Sequence, residues 1–133
     1  MKDCVFCKII KGEIPCFKLY EDRDFIAMLD AFPATKGQSL VIPKKHVEYI
    51  FDLDESTYIK LLSITREIAK AIDSALDTER TCIVVEGFQV PHTHVRLHPA
   101  YERRLILKSH DSKTGKEDFE NILNMIKAKM SLL

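Results

Sequence analysis

The sequence predicts an α+β domain built on an antiparallel sheet. Three observations carry that reading. Short strand-like runs separated by turn residues fill the first half of the chain. A stripe of apolar residues at helical spacing then runs from about Glu55 to Leu76, and two further strand-like runs follow it. Strands grouped around one long helix through short connections favour segregated layers over alternating βαβ units.

The first run, Phe17 to Tyr20, and the second, Phe25 to Leu29, flank the turn-prone Glu21-Asp22-Arg23-Asp24 and read as a hairpin. Ser39 to Ile42 is the third, entered through Lys36-Gly37 and stopped by Pro43. In the long helix Tyr58, Leu61, Leu62, Thr65, Ile68, Ala69, Ile72, Ala75 and Leu76 form one face, and Asp54 is the expected N-cap. Cys82 to Val85 and His92 to Leu97 are the last two strands, with Gly87 and Pro91 punctuating their connection. Beyond Pro99 the chain turns polar, then ends in a second helix, about Lys116 to Met130, with Phe119, Ile122, Leu123 and Ile126 on one side.

A chain of 133 residues suits one domain, and 46% hydrophobic residues suffice for a packed core. The 20 basic and 20 acidic side chains cancel, which argues against a nucleic-acid wrapper or a membrane-surface protein. No apolar run approaches the roughly 20 residues that cross a bilayer. Met1-Lys2-Asp3-Cys4 lacks the apolar stretch of a secretion signal, so a cytoplasmic protein with reduced thiols is expected.

Cys4 and Cys7 form a C-x-x-C pair, which can supply two zinc ligands or a redox couple. The redox form expects a strand before the pair in a βαβ setting, and none precedes it here. A tetrahedral zinc needs two more ligands, available from His46, His92, His94, His98 and His110. Cys16 and Cys82 lie among apolar residues and are expected to be buried.

Alternation along a strand would put His92, His94, Arg96 and His98 on one face, with Thr93, Val95 and Leu97 on the other, toward the long helix. Three histidines and an arginine in a row mark a site. Imidazole serves as metal ligand, acid–base or nucleophile. One ring cannot be both ligand and nucleophile, because the metal takes the lone pair that must attack, so the roles along this row must divide.

Several segments together resemble the HIT (histidine triad) family of nucleotide hydrolases and transferases, over nearly the whole chain to Pro99. They are Cys4-Val5-Phe6-Cys7-Lys8-Ile9-Ile10, Gly12-Glu13-Ile14-Pro15, Tyr20-Glu21-Asp22, Met28-Leu29-Asp30, Leu40-Val41-Ile42-Pro43-Lys44-Lys45-His46 and Val90-Pro91-His92-Thr93-His94. The resemblance implies a HIT-like fold, a five-stranded antiparallel sheet with one long helix, short helices and a C-terminal helix, paired as a homodimer. A HIT-like domain over residues 1–105 is expected, with 106–133 as a C-terminal extension whose helix packs on it. It also implies a structural zinc on Cys4, Cys7, His46 and His92, and His94 as the nucleophile toward the α-phosphorus of a purine nucleotide or nucleoside phosphate conjugate, such as a phosphoramidate or dinucleoside polyphosphate. Asp30 matches the ribose-binding carboxylate, and Phe6 and Met28 match positions lining the base pocket.

The chain departs from that pattern at the third triad position, which is Arg96. Arginine stays charged and can fork onto phosphate oxygens, but it is a poor proton donor to a leaving group. Loss of a general acid typically costs about 10²–10⁴-fold in rate. His98, about 6–7 Å further along the same face, is the expected substitute proton source, directly or through a water. Gln38 stands where the family often has histidine, and Glu86-Gly87-Phe88-Gln89 replaces a longer glycine-rich loop, leaving Gln89 to offer its amide to a phosphate oxygen. The competing readings are a nucleotide- or phosphate-binding protein that retains its ligand through Arg96, and a zinc-stabilised scaffold.

Overall fold

A computed structural model describes residues 3–108 and 116–131. His110 lies outside the described residues. The elements are α1 (Val5–Ile10), β1 (Lys18–Glu21), β2 (Phe25–Leu29), β3 (Ser39–Pro43), α2 (Glu55–Leu76), β4 (Arg80–Val84), β5 (Val95–Ala100) and α3 (Lys116–Ala128), with a single 3-10 turn at Ile50–Asp52. The five strands form one antiparallel sheet in the order β1-β2-β3-β5-β4.

The hairpin turn is closed by Asp22. Its Oδ1 accepts the Asp24 and Phe25 N–H groups at 2.8 Å each, and its Oδ2 accepts the Tyr20 hydroxyl at 2.6 Å. An aspartate bonding to the backbone two and three residues on is the reason that short acidic stretch turns. The phenolic proton shared with this carboxylate holds the Tyr20 pKa up at about 12.

The long helix has the predicted bounds because both ends are chemically marked. Asp54 accepts the Thr57 N–H at 3.3 Å at the start, and Asp77 adopts the left-handed conformation (φ 54°) at the end. Leu61, Ile64, Ile68, Ile72 and Leu76 of α2 pack on Phe25, Ala27, Leu29, Val41, Val95 and Leu97 from one face of the sheet. Each such side chain, fully buried, contributes about 1.5–3 kcal/mol. Ile122 and Ile126 of α3 join this core, and Phe119 stacks on Phe17 with ring centroids 5.0 Å apart. The alternate residues Ile26, Met28, Leu40 and Ile42 face the other way and pack on Cys4 and Phe6 of the N-terminal segment. The sheet is thus covered on both faces, and the thinner cover, α1, is the side where the chemistry collects.

Four strands have bounds that differ from the sequence reading. β1 starts at Lys18, although the Phe17 carbonyl still accepts the Leu29 N–H at 2.9 Å. β3 includes Pro43, opposite Phe25 at the end of the ladder. β4 lies two residues earlier at its start, at Arg80. β5 begins at Val95 and runs to Ala100, three residues later than expected at both ends. The physical reason is that the Thr93 N–H goes to the Val47 carbonyl (2.7 Å) and the His92 N–H to that of Val90 (2.8 Å), so neither joins the sheet. Pro99 is tolerated in β5 because pairing with β3 has already ended at Leu97. α3 ends at Ala128 rather than Met130. Cys16 and Cys82 are half-buried, not buried, Cys82 because it sits on the edge strand β4.

Gly37 shapes the β2–β3 connection. Its φ is +83°, and a Cβ there would collide with Leu76 of α2. That close approach fixes the turn that delivers Gln38 to Asp30.

Candidate functional site

Two groups of side chains meet where the chain enters β5. The first is a cluster of Cys4, Cys7, His46 and His92. Cys4 is the N-cap of α1, its Sγ accepting the Cys7 N–H at 3.4 Å, so both thiols lie on one side of the first helical turn. His46 follows the end of β3, and His92 comes from the segment before β5. The four ligand atoms lie within 4.8 Å of one another. Individual separations are 3.4 Å (Cys4 Sγ to His92 Nδ1), 3.3 Å (Cys7 Sγ to His46 Nδ1), 3.5 Å (Cys7 Sγ to His92 Nδ1) and 3.1 Å between the two Nδ1 atoms. A tetrahedron drawn with ordinary Zn–S and Zn–N bonds has edges of about 3.3–3.8 Å.

The tautomer of His92 agrees with that use. Its Nε2 lies 2.8 Å from the Pro43 carbonyl, which can only accept, so Nε2 carries the proton and Nδ1 keeps its lone pair toward the cluster. Burial holds His92 below the usual histidine range, which favours the neutral ligand form. Two thiols and two imidazole nitrogens turned toward each other are a donor set suited to zinc.

The second group lines a cavity of about 780 Å³. One wall is apolar, with Phe6 and Ile9 of α1, Met28 and Leu40 of the sheet, and Val90. Asp30, Gln38, Gln89, His94 and Arg96 also line it, together with Leu107 and Lys108. His94 is 1% exposed. Its Nδ1 lies 2.7 Å from the His92 carbonyl and therefore carries the proton, while its Nε2 is buried with no partner. Burial first, then the neighbouring Arg96 charge, pushes its pKa below the usual histidine range. Its ring packs edge-on against Phe6 with centroids 4.9 Å apart, which restrains it.

Asp30 accepts the Phe32 N–H on Oδ1 (3.0 Å) and the Gln38 amide on Oδ2 (2.7 Å). Gln38 in turn accepts the Ala34 N–H at 2.8 Å. Both ends of the Gln38 amide are engaged, so it orients Asp30. Gln89 is exposed at the rim.

The expected single row of four residues is not one row. Of His92, His94, Arg96 and His98, only His94 and Arg96 line the cavity. His92 precedes the strand and turns to the thiols. His98 is 1% exposed, ties its Nδ1 to the Ile106 carbonyl at 3.1 Å and is not part of the lining. Thr93, expected to face the helix with Val95 and Leu97, instead bonds through its hydroxyl to the Val47 carbonyl at 2.6 Å.

Sequence reasoning missed the apolar lining residues Ile9, Leu40 and Val90, and also Glu86, Leu107 and Lys108. Arg96 Nη2 lies 3.4 Å from Oε1 of Glu86, a residue whose only signal was a carboxylate in a short loop ahead of an arginine. Leu107 and Lys108 had no signal at all, since the return of the chain over the site is a tertiary event.

Residues 11–103 match the HIT domain. The adenylylsulfatase HINT3 of Arabidopsis thaliana is 37% identical over 125 residues, covering 86% of this chain and 64% of that protein. The adenosine 5'-monophosphoramidase hnt1 of Schizosaccharomyces pombe is 44% identical over 69 residues, 52% of each chain. This chain thus aligns with roughly half to two thirds of the length of these two relatives. Among solved structures, a Zn-bound histidine triad family protein from Mycobacterium smegmatis matches with a TM-score of 0.81 at 27% identity, over 96% of this chain and 93% of that one. With the domain match spanning most of its length and the same sheet and helices in place, this chain belongs to the HIT domain family.

Proposed function

We propose that the chain is a nucleotide-conjugate hydrolase or nucleotidyl transferase working through a nucleotidyl-histidine. One observation carries this: His94 presents a neutral ring with an unpartnered Nε2 in a cavity that also holds a guanidinium. Such a ring is equipped to attack phosphorus. Nε2 bonds to the α-phosphorus, and the bond to the leaving group breaks with its electron pair, the leaving atom taking up a proton. Water then adds to the same phosphorus, frees Nε2 and releases a nucleoside monophosphate; another acceptor in place of water gives transfer. The relatives named as an adenylylsulfatase and an adenosine monophosphoramidase support an adenosine conjugate as the substrate class.

In this reading Arg96 binds the phosphoryl oxygens on which charge develops. His98 lies outside the lining and its ring proton goes to the Ile106 carbonyl, so in this reading water, not His98, supplies the leaving-group proton. Asp30 takes the ribose hydroxyls with Gln38 holding it in place, Phe6 and Met28 flank the base, and Gln89 offers its amide to a phosphate oxygen. Cys4, Cys7, His46 and His92 hold a zinc ion, which with four protein ligands supplies a structural cross-link and not a hydrolytic water. The outer edge of β4 pairs with no strand among the described residues, and Ile83 and the following Val85 are exposed there, which supports a homodimer. Residues 1–105 form the HIT-like unit in this reading, and 106–133 are an extension whose helix packs on it.

Incubation with adenosine 5'-phosphoramidate should release AMP, and the His94→Ala variant should not. Arg96, which has no proton to give, favours a second reading: AMP that raises the melting temperature without any turnover of the conjugate would identify a binding protein.

A further inference from the structure

One side of the Arg96 guanidinium is already engaged. Its Nη2 lies 3.4 Å from Glu86 Oε1, and the two side chains are 21% and 27% exposed. Glu86 comes from the connection between β4 and β5 and does not itself line the cavity. Its Oε2 accepts the Phe88 N–H at 2.7 Å across Gly87, which sits at φ +73°. The carboxylate is therefore gripped by its own loop and presented to Arg96 from behind. The pair is an ion contact without a hydrogen bond, since Glu86 Oε1 has no hydrogen-bond partner. The buried Arg96 Nε has none either, so a donor of a cavity-lining residue stays uncommitted.

We propose that Glu86 is a positioning residue for Arg96, holding Nη2 so that the Nε–H is left for a phosphate oxygen, and tempering the positive charge that the phosphate meets. The rate part rests on the function proposed above; the binding part does not. Its two effects have opposite signs. A held guanidinium needs no reorganisation as charge moves onto the phosphoryl oxygens, which favours the chemical step. The carboxylate behind it repels the same phosphate in the ground state, which weakens binding. A residue that merely supported the loop would lower both rate and affinity when replaced.

The test is AMP titration by calorimetry at fixed ionic strength, alongside single-turnover release of AMP from adenosine 5'-phosphoramidate. Glu86→Gln keeps an oxygen for the Phe88 N–H and loses the charge. It should bind AMP about three- to tenfold more tightly, while the rate constant falls. Glu86→Asp keeps the charge on a shorter arm, so its AMP affinity should stay within about twofold of wild type while its rate falls. Unchanged or weaker AMP binding by Glu86→Gln overturns the proposal. Should that variant not fold, wild-type crystals with AMP decide: the Arg96–Glu86 contact should persist with Nε on a phosphate oxygen, and an Arg96 swung away from Glu86 overturns it. Absence of turnover in the wild type removes the enzymatic reading alone, because affinity and crystal do not depend on it.

Discussion

The ring Nδ1 of His94 lies 2.7 Å from the main-chain oxygen of His92. The side chain of His92 belongs to the cysteine–histidine cluster, so one residue joins both halves of the site: its ring faces the thiols and its carbonyl sets the tautomer of its neighbour. That bond leaves only Nε2 of His94 to meet a substrate.

His94→Ala should lower AMP release from the phosphoramidate by at least roughly 10³-fold, as removal of a nucleophile does elsewhere. Circular dichroism and the melting temperature should show a folded variant, so that the loss is one of chemistry. A residual rate within tenfold of wild type would rule out a covalent histidine intermediate.

Metal analysis of the purified protein should give about one zinc per chain. Stripping it with a chelator should lower the melting temperature, because a site absent from the unfolded chain adds its binding free energy to folding. Cys7→Ser and His46→Ala should behave the same way. Turnover should fall with the metal, since His92 carries both the cluster and the carbonyl that holds His94. A stoichiometric protein that keeps its melting temperature after zinc removal would contradict the structural role.

A hydrogen bond to a charged group contributes about 1.5–3 kcal/mol. Asp30→Ala should therefore weaken AMP binding by about 10- to 100-fold and abolish the preference for AMP over its 2',3'-dideoxy analogue. An undiminished preference would place the ribose elsewhere.

Burial, then the Arg96 charge, pushes the His98 pKa below the usual histidine range, against the opposing bond to Ile106. The folded value thus lies below the unfolded one, about 6.5. Its contribution to stability is present above that pH and is lost as pH falls through the folded value. Histidine NMR should show His98 titrating below an exposed histidine, and His98→Gln should flatten the acid side of the stability profile. A His98 ring titrating at or above 6.5 would contradict this.

The helix from Glu55 to Leu76 was legible because its cap and its periodicity are local properties, expressed whatever the rest of the chain does. The hairpin at Asp22 was legible for the same reason. The bounds of β5 were not: alternation continues through His92 and His94, but a strand needs a partner, and the Thr93 N–H finds Val47 instead. The alternation correctly put Val95 and Leu97 under α2, yet it could not say that His98 would be spent on Ile106.

By itself, then, the sequence determined what depends on spacing along the chain: the α+β class, the long helix, the paired thiols and the histidine-rich segment. Only the tertiary structure decided which nitrogen of His92, His94 and His98 is free, that Gln38 orients Asp30, and that Glu86 contacts Arg96. Those outcomes depend on carbonyls and carboxylates brought from distant segments, and no local preference encodes which of them will arrive.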